Sequence, residues 1–249
     1  MSKNQFKNLN SEQTSNIVEK EKLKSCFQNL FKENSSALFD NPFLFSRTGL
    51  ISKLLLLSKL YKKIKNVPGD IIEFGIWFGQ TLIILENLRA IHETFNITRK
   101  FYGFDTFDGY KEISGLDIQK DEIEKYKLVN NWENELSNIF QLHSSINNSK
   151  TNLEIIKGDV LKTIPSFYKK YQGPVAFCYI DIATYETTKL ILENTIPIMS
   201  KGAIIVIDDF GIPYPGVQDA LSDHKVFVRN DLETKICPYY PTKLYITKK

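Results

Sequence analysis

The sequence predicts an α/β protein built on a mostly parallel, seven-stranded sheet with helices on both faces. Three observations predict it. From residue 67 onward, short apolar segments alternate with longer amphipathic ones. The short segments lack polar alternation, as strands do when both faces of a parallel sheet are covered. Glycines and aspartates then follow them, at the carboxyl ends where such sheets bind ligands.

Residues 1–40 are polar and rich in Asn, Ser and Lys, with one helix expected near 16–32. Residues 50–64 carry apolar side chains at helical spacing and form an amphipathic helix. Ser52, Lys53, Ser58 and Lys59 interrupt its apolar run, so it does not span a bilayer. Val67-Pro68-Gly69-Asp70 then breaks the pattern. A strand is expected at 71–74, a helix at 81–94 and a second strand at 100–105. A third strand at 153–157 precedes a helix at 161–171. A fourth strand at 175–181 and a helix at 185–196 lead to a fifth strand at 203–208 and a short helix at 217–223. The β-rich runs 226–228 and 243–247 are expected to close the sheet as an antiparallel pair. Residues 110–150 lack a core strand and are rich in charge, Asn and helix formers. An insertion of this length in a compact α/β domain reads as a helical lid. The expected division is an N-terminal helical extension over 1–66 and a principal domain over 67–249.

A chain of 249 residues suits one such domain with insertions. Its 32 basic and 29 acidic residues leave a net charge of +3. That balance, without a basic stripe, excludes nucleic acid as the expected partner. The tail 243–249 is mildly basic and reads as a solvated end. Cys26, Cys178 and Cys237 have no metal-ligand spacing, and Cys178 in its apolar run reads as a core residue. The polar N-terminus lacks the apolar segment of a secretory signal. A cytoplasmic protein without a membrane span is expected. Residues 1–40 stay open between a disordered tail, a lid and the arm of a homo-oligomer.

The strand ends carry the chemistry. Glu73-Phe74-Gly75-Ile76-Trp77-Phe78-Gly79 follows the first strand. Its glycines allow a tight turn beside a ligand, and the helix behind it, starting at Thr81, offers free N–H groups. The Gly-x-x-x-Gly spacing differs from the dinucleotide fingerprint and disfavours a nicotinamide-dependent oxidoreductase. Trp77 and Phe78 either stack on a ligand or pack in the core. The second strand ends in Asp105-Thr106-Phe107-Asp108-Gly109, where Asp105 either accepts ribose hydroxyls or caps a turn completed by Thr106 and Gly109. After the third strand, the carboxylate of Gly158-Asp159 either caps the next helix or meets an adenine amino group. Asp181 and the pair Asp208-Asp209 end the fourth and fifth strands. Three carboxylates on neighbouring strand ends suit a hard divalent cation such as Mg²⁺. The structural alternative has Asp209 capping the next segment and Asp208 paired with a lysine.

These segments, with Tyr185-Glu186, Phe210-Gly211 and Pro215-Gly216 in the same order, resemble the macrocin O-methyltransferase family. The resemblance runs from about Val67 to Ala220. It implies a Rossmann-like class I methyltransferase fold and S-adenosylmethionine as donor. It implies a sugar, or a glycosylated small molecule, as acceptor. By it, Glu73, Gly75 and Gly79 line the methionine end of the donor, Asp105 holds the ribose and Asp159 approaches the adenine. Thr81, Thr106, Gly158 and Asp181 belong to the same donor site. The resemblance also implies a Mg²⁺ bound by Asp181, Asp208 and Asp209.

The sequence departs from the family at two positions. Gln80 follows Gly79 where a second glycine is usual, and Ala183 replaces the second acid of Asp-x-Asp-x-Tyr, a favoured general base. The proton of a hydroxyl acceptor must then go to Asp181, Asp209 or His143, unless the acceptor is acidic enough to need no base. A donor-binding protein with weak catalysis is the alternative that Ala183 keeps open.

Overall fold

The structure is a computed structural model that describes residues 17–110, 126–148, 151–210 and 215–249. The chain divides into two compact units, Met1–Ile51 and Ser52–Lys249. In the first, helix α1 (Ile17–Asp40) bends at Asn34 and is followed by a 3₁₀ turn at Pro42–Phe45. The Phe27 ring packs against Phe31 and Phe45.

The second unit contains the sheet. Helix α2 (Thr48–Ile64) brings Leu56, Leu57, Leu60, Tyr61 and Ile64 into the core on one stripe. Strands and helices then alternate: β1 (Asp70–Phe74), α3 (Gln80–His92), β2 (Phe101–Asp105), α4 (Trp132–Ile146), β3 (Leu153–Lys157), α5 (Val160–Lys170), β4 (Val175–Ile180), α6 (Tyr185–Thr195), β5 (Met199–Ile207) and α7 (Pro215–Asp223). β6 (Leu232–Ile236) and β7 (Leu244–Lys248) complete the sheet. Its order is β3-β2-β1-β4-β5-β7-β6, parallel except for β7. The chain moves one way from β1 through β2 to β3, then returns past β1 to β4 and β5. Right-handed crossovers in opposite directions place α3 and α4 on one face and α5 and α6 on the other. β4 is buried along its whole length, including Cys178, as a strand covered on both faces must be.

The antiparallel closure is present, but Val226–Val228 is not part of it. That run folds into turns after α7, with Lys225 left-handed (φ 52°) and the Val226 N–H returning to the Leu221 carbonyl at 3.1 Å. The edge strand is instead Leu232-Glu233-Thr234-Lys235-Ile236. An edge strand needs little apolar surface, so its sequence signal is weak. Within 110–150, residues 111–125, 149 and 150 lie outside the described residues. Helix α4 packs on α3 and β3, burying Leu136 and Phe140, with the Phe140 ring 5.2 Å from Phe101.

At the amino ends of the strands, Arg99 pairs with Glu93 at 2.8 Å and donates to the carbonyls of Ile64 (3.3 Å) and Val67 (3.0 Å). Tyr61 donates to the same glutamate. This buried clasp ties α2 and α3 to the start of β1. No helix among the described residues is long and apolar enough to cross a membrane.

Candidate active site

Strand order reverses between β1 and β4, which opens a crevice at their carboxyl ends. The ladder continues one residue past four strands. Gly75 N–H donates to Phe104 O, Asp181 N–H to Phe74 O, Asp208 N–H to Ile180 O and Gly158 N–H to Asp105 O, each at 2.9 Å. Four strand ends are thus held level just where the chain diverges. The cavity there is lined by Gly75, Asp105, Thr106, Asp159, Asp181 and Asp209 of the expected site, together with Trp77, Tyr110 and Tyr126.

The turn after β1 passes directly over the end of β4. Gly75 has φ 82°, and a Cβ there would stand 2.2 Å from the Asp181 carbonyl oxygen, so no larger residue fits. Trp77 adopts φ 45° despite its side chain, a strain of about 1 kcal/mol. Its N–H donates to Asp105 Oδ2 at 2.7 Å, while Asp105 Oδ1 accepts the Phe107 N–H at 2.7 Å. Asp105 therefore braces both turns, and each oxygen keeps a second lone pair for a ligand hydroxyl. Burial raises its pKa, and the same N–H groups oppose the rise. Thr106 Oγ1 accepts the Asp108 N–H and donates to Gly109 O, so the turn-capping reading of this segment holds. Trp77 and Phe78 are 45% and 46% exposed, so neither is a core residue. Asp159 caps α5 through Leu161 N–H at 3.0 Å while facing the cavity.

Glu73 and Thr81 are buried behind the turn, and Gly79 caps α3. The Glu73 carboxyl hydrogen-bonds to Thr81, yet its Oε2 has no partner among the described residues. Burial pushes its pKa up to about 8, with Lys53 pulling the other way. Burial thus favours the protonated form of Glu73. A buried orphan oxygen is costly unless a ligand uses it.

Carboxylate oxygens of Asp181, Asp208 and Asp209 lie within 4.8 Å of one another. Asp208 is buried and meets Tyr179 Oη and Lys243 Nζ. Lys53 Nζ lies 3.5 Å from both Asp208 and Asp181. The expected alternative of an Asp208–lysine pair is therefore realised twice. Lys243 corrects the reading of a solvated tail: pairing of Ile207 with Leu244 sets it opposite Asp208, and it is buried. In the sequence Lys53 reads as a polar interruption of the helix. Its spacing to Leu56, Leu57 and Leu60 is i+3, i+4 and i+7, which places it on the buried stripe and could have identified it.

His143 is not among the residues lining the cavity. It sits on α4 with Nδ1 3.2 Å from Asn87 Nδ2 on α3. Ala183 is buried, and its backbone N–H bonds to the Tyr110 hydroxyl.

A doubly wound sheet closed by an antiparallel strand in this order, with acids and glycines at the crevice, is the Rossmann-like fold of class I methyltransferases. The chain belongs to the macrocin-O-methyltransferase (TylF) family, which it matches over residues 40–236. It is 26% identical over 167 residues to a rhamnosyl-tetracenomycin-C 4'-O-methyltransferase of Streptomyces olivaceus, covering 64% of this chain and 59% of the relative. It is 23% identical to demethyldecarbamoylnovobiocin O-methyltransferase of Streptomyces niveus, over 64% of this chain and 59% of the relative. The matches thus span about three-fifths of these relatives' length. The solved calicheamicin methyltransferase superposes with a TM-score of 0.80 at 27% identity over 91% of both chains. The O-methyltransferase NovP shares the fold, with a TM-score of 0.65 at 20% identity over 80% of both chains.

Proposed function

We propose that the protein transfers a methyl group from S-adenosylmethionine to a hydroxyl of a sugar, free as a nucleotide-activated precursor or carried on a small molecule. The carrying observation is the convergence of Gly75, Asp105, Asp159, Asp181 and Asp209 on one cavity at the switch point. The Streptomyces olivaceus relative is named for a rhamnosyl-bearing acceptor, and a second structure of the calicheamicin enzyme is described as a TDP-rhamnose 3'-O-methyltransferase.

The donor fits the residues present. The turn at Gly75 leaves room for a ligand against the backbone, and the Glu73 Oε2, unpartnered among the described residues, is available to hydrogen-bond the methionine end. Asp105 accepts ribose hydroxyls, and Asp159 combines helix capping with contact to the adenine. The three-carboxylate cluster is an all-oxygen donor set that fits Mg²⁺. When bound there, Mg²⁺ would acidify the acceptor hydroxyl and fix its orientation. In transfer, the acceptor oxygen attacks the methyl carbon in line as the carbon–sulfur bond breaks, so the protein chiefly aligns the two. The acceptor proton goes to Asp181 or Asp209, the two carboxylates of the cluster that line the cavity. Asp208 is held behind them by Tyr179 and the lysines and serves to position the site.

The test is methyl transfer to TDP-rhamnose and to rhamnosylated acceptors, with Mg²⁺ or a chelator, beside thermal unfolding with S-adenosylmethionine and NAD. Stabilisation by S-adenosylmethionine alone, with turnover on a sugar, supports the reading; stabilisation by NAD alone sinks it. Donor stabilisation without turnover on any sugar favours the second reading, a weakly catalytic donor-binding protein, which the buried Ala183 supports.

A further inference from the structure

We propose that Lys53 is the internal cation of the carboxylate cluster: its ammonium bridges Asp181 and Asp208 in the metal-free protein, and a divalent cation binds by displacing it. The inference rests on the metal-binding reading above.

The lysine is held as a bridge. Nζ stands 3.5 Å from Asp181 Oδ2 and 3.5 Å from Asp208 Oδ2. It also lies 4.8 Å from the centre of the Tyr179 ring, whose hydroxyl donates to the same Asp208 oxygen. Asp208 Oδ1 meanwhile faces Lys243. Both oxygens of Asp208 are therefore engaged by cations or by a phenol, leaving little lone-pair capacity for an added ion.

Like-charge repulsion points to exchange. A divalent cation held by Asp181 Oδ2 and Asp208 Oδ2 would use the same oxygens that Lys53 Nζ bridges at 3.5 Å, and two cations so close repel. Exchange of the ion for Lys53 removes that repulsion and keeps both carboxylates compensated.

Lys53 is the lysine able to leave. Lys243 is fixed by its strand, with its N–H on Tyr240 O and its carbonyl accepting from Cys237. Its ammonium lies 4.4 Å from the Tyr240 ring centre, and its side chain is 8% exposed. Lys53 hangs on a flexible stem from α2, contacts its carboxylates at longer range and is 18% exposed. It can swing to water without moving backbone.

The experiment titrates Mn²⁺ into the full chain by calorimetry and electron paramagnetic resonance, for the wild type, Lys53→Met and Lys53→Arg. Displacement predicts that Lys53→Met binds Mn²⁺ tighter by on the order of tenfold or more, while Lys53→Arg, which keeps the charge, does not. Equal or weaker binding by Lys53→Met overturns the role of Lys53; if Asp209→Asn still abolishes Mn²⁺ binding, the metal-site reading survives. No Mn²⁺ binding by wild type or Lys53→Met overturns both. An independent measurement needs no variant at the lysine. In ¹⁵N-labelled wild type, saturating Mg²⁺ should speed proton exchange at Lys53 Nζ as it moves into water, and an unchanged Nζ signal overturns displacement.

Discussion

Gly75→Ala should cost both stability and the site, and the structure supplies the size of each. At φ 82° a residue with a Cβ pays about 1–2 kcal/mol. The added carbon would lie 2.2 Å from Asp181 O and 2.9 Å from Asp181 C, so the turn or the end of β4 must move by about 1 Å to restore van der Waals contact. Such overpacking costs roughly 1–3 kcal/mol. A combined loss of about 3 kcal/mol, at ~2–4 °C per kcal/mol for a chain of this size, lowers the melting temperature by about 6–12 °C. The movement falls on Asp181, whose N–H closes the last rung of the β1–β4 ladder. A shift of that size in a site residue costs turnover about a hundredfold. Gly202→Ala is the control. Its φ is 84°, but its added Cβ would meet only a side-chain methyl of Val67 at 3.1 Å. It should show the backbone penalty with donor affinity intact. Calorimetric melting and donor titration of both variants decide the matter. Gly75→Ala melting within 2 °C of wild type, as judged on the same scale, with unchanged donor affinity would refute the reasoning.

Three further outcomes follow from the same geometry. Burial raises the Glu73 pKa from its ordinary 4.5 to about 8, so the folded chain keeps a proton that the unfolded chain releases; this stabilisation is complete below pH 4.5 and is lost as pH rises through 8, by up to ~1.4 kcal/mol per unit between. Glu73→Gln should therefore flatten the fall of melting temperature with pH over that window, and parallel curves for variant and wild type would contradict it. Asp159→Ala should lose the α5 cap, about 0.5–2 kcal/mol, whereas Asp159→Asn keeps the cap and melts near wild type, so donor titration of the Asn variant isolates the carboxylate's part in binding. Ala183→Asp introduces a carboxylate at a position 1% exposed beside Tyr110; it should destabilise by at least about 1–3 kcal/mol without raising turnover, and a stable, faster variant would show that position 183 can host the base.

The strand-end residues were legible because their signals are local. An apolar run ending in a glycine or an aspartate marks a strand entering a ligand-binding turn, and Gly75, Asp105, Asp159 and Asp181 all face the cavity as that pattern implies. Asp105 and Asp159 also perform the capping read as their bland alternatives, because a carboxylate has lone pairs for both tasks. The edge strand Leu232–Ile236 was not legible. One apolar face suffices at a sheet edge, and Val226–Val228 offered a stronger but misleading run.

By itself, the sequence determined the alternation of strands and helices, the parallel sheet this implies and the acids and glycines at its strand ends, since those signals lie among neighbours in the chain; the strand order came from long-range pairing. The sequence also marked Ala183 as a missing acid. Only the tertiary structure decided the electrostatics. Lys53 and Lys243 stand 155 and 35 residues from Asp208 along the chain, and only the packing of α2 and the antiparallel register of β7 bring them to it. Packing also kept His143 on α4 beside Asn87, raised the pKa of the buried Glu73 and left its Oε2 without a partner among the described residues. Charge pairing and desolvation act through space, so residue order alone does not contain them.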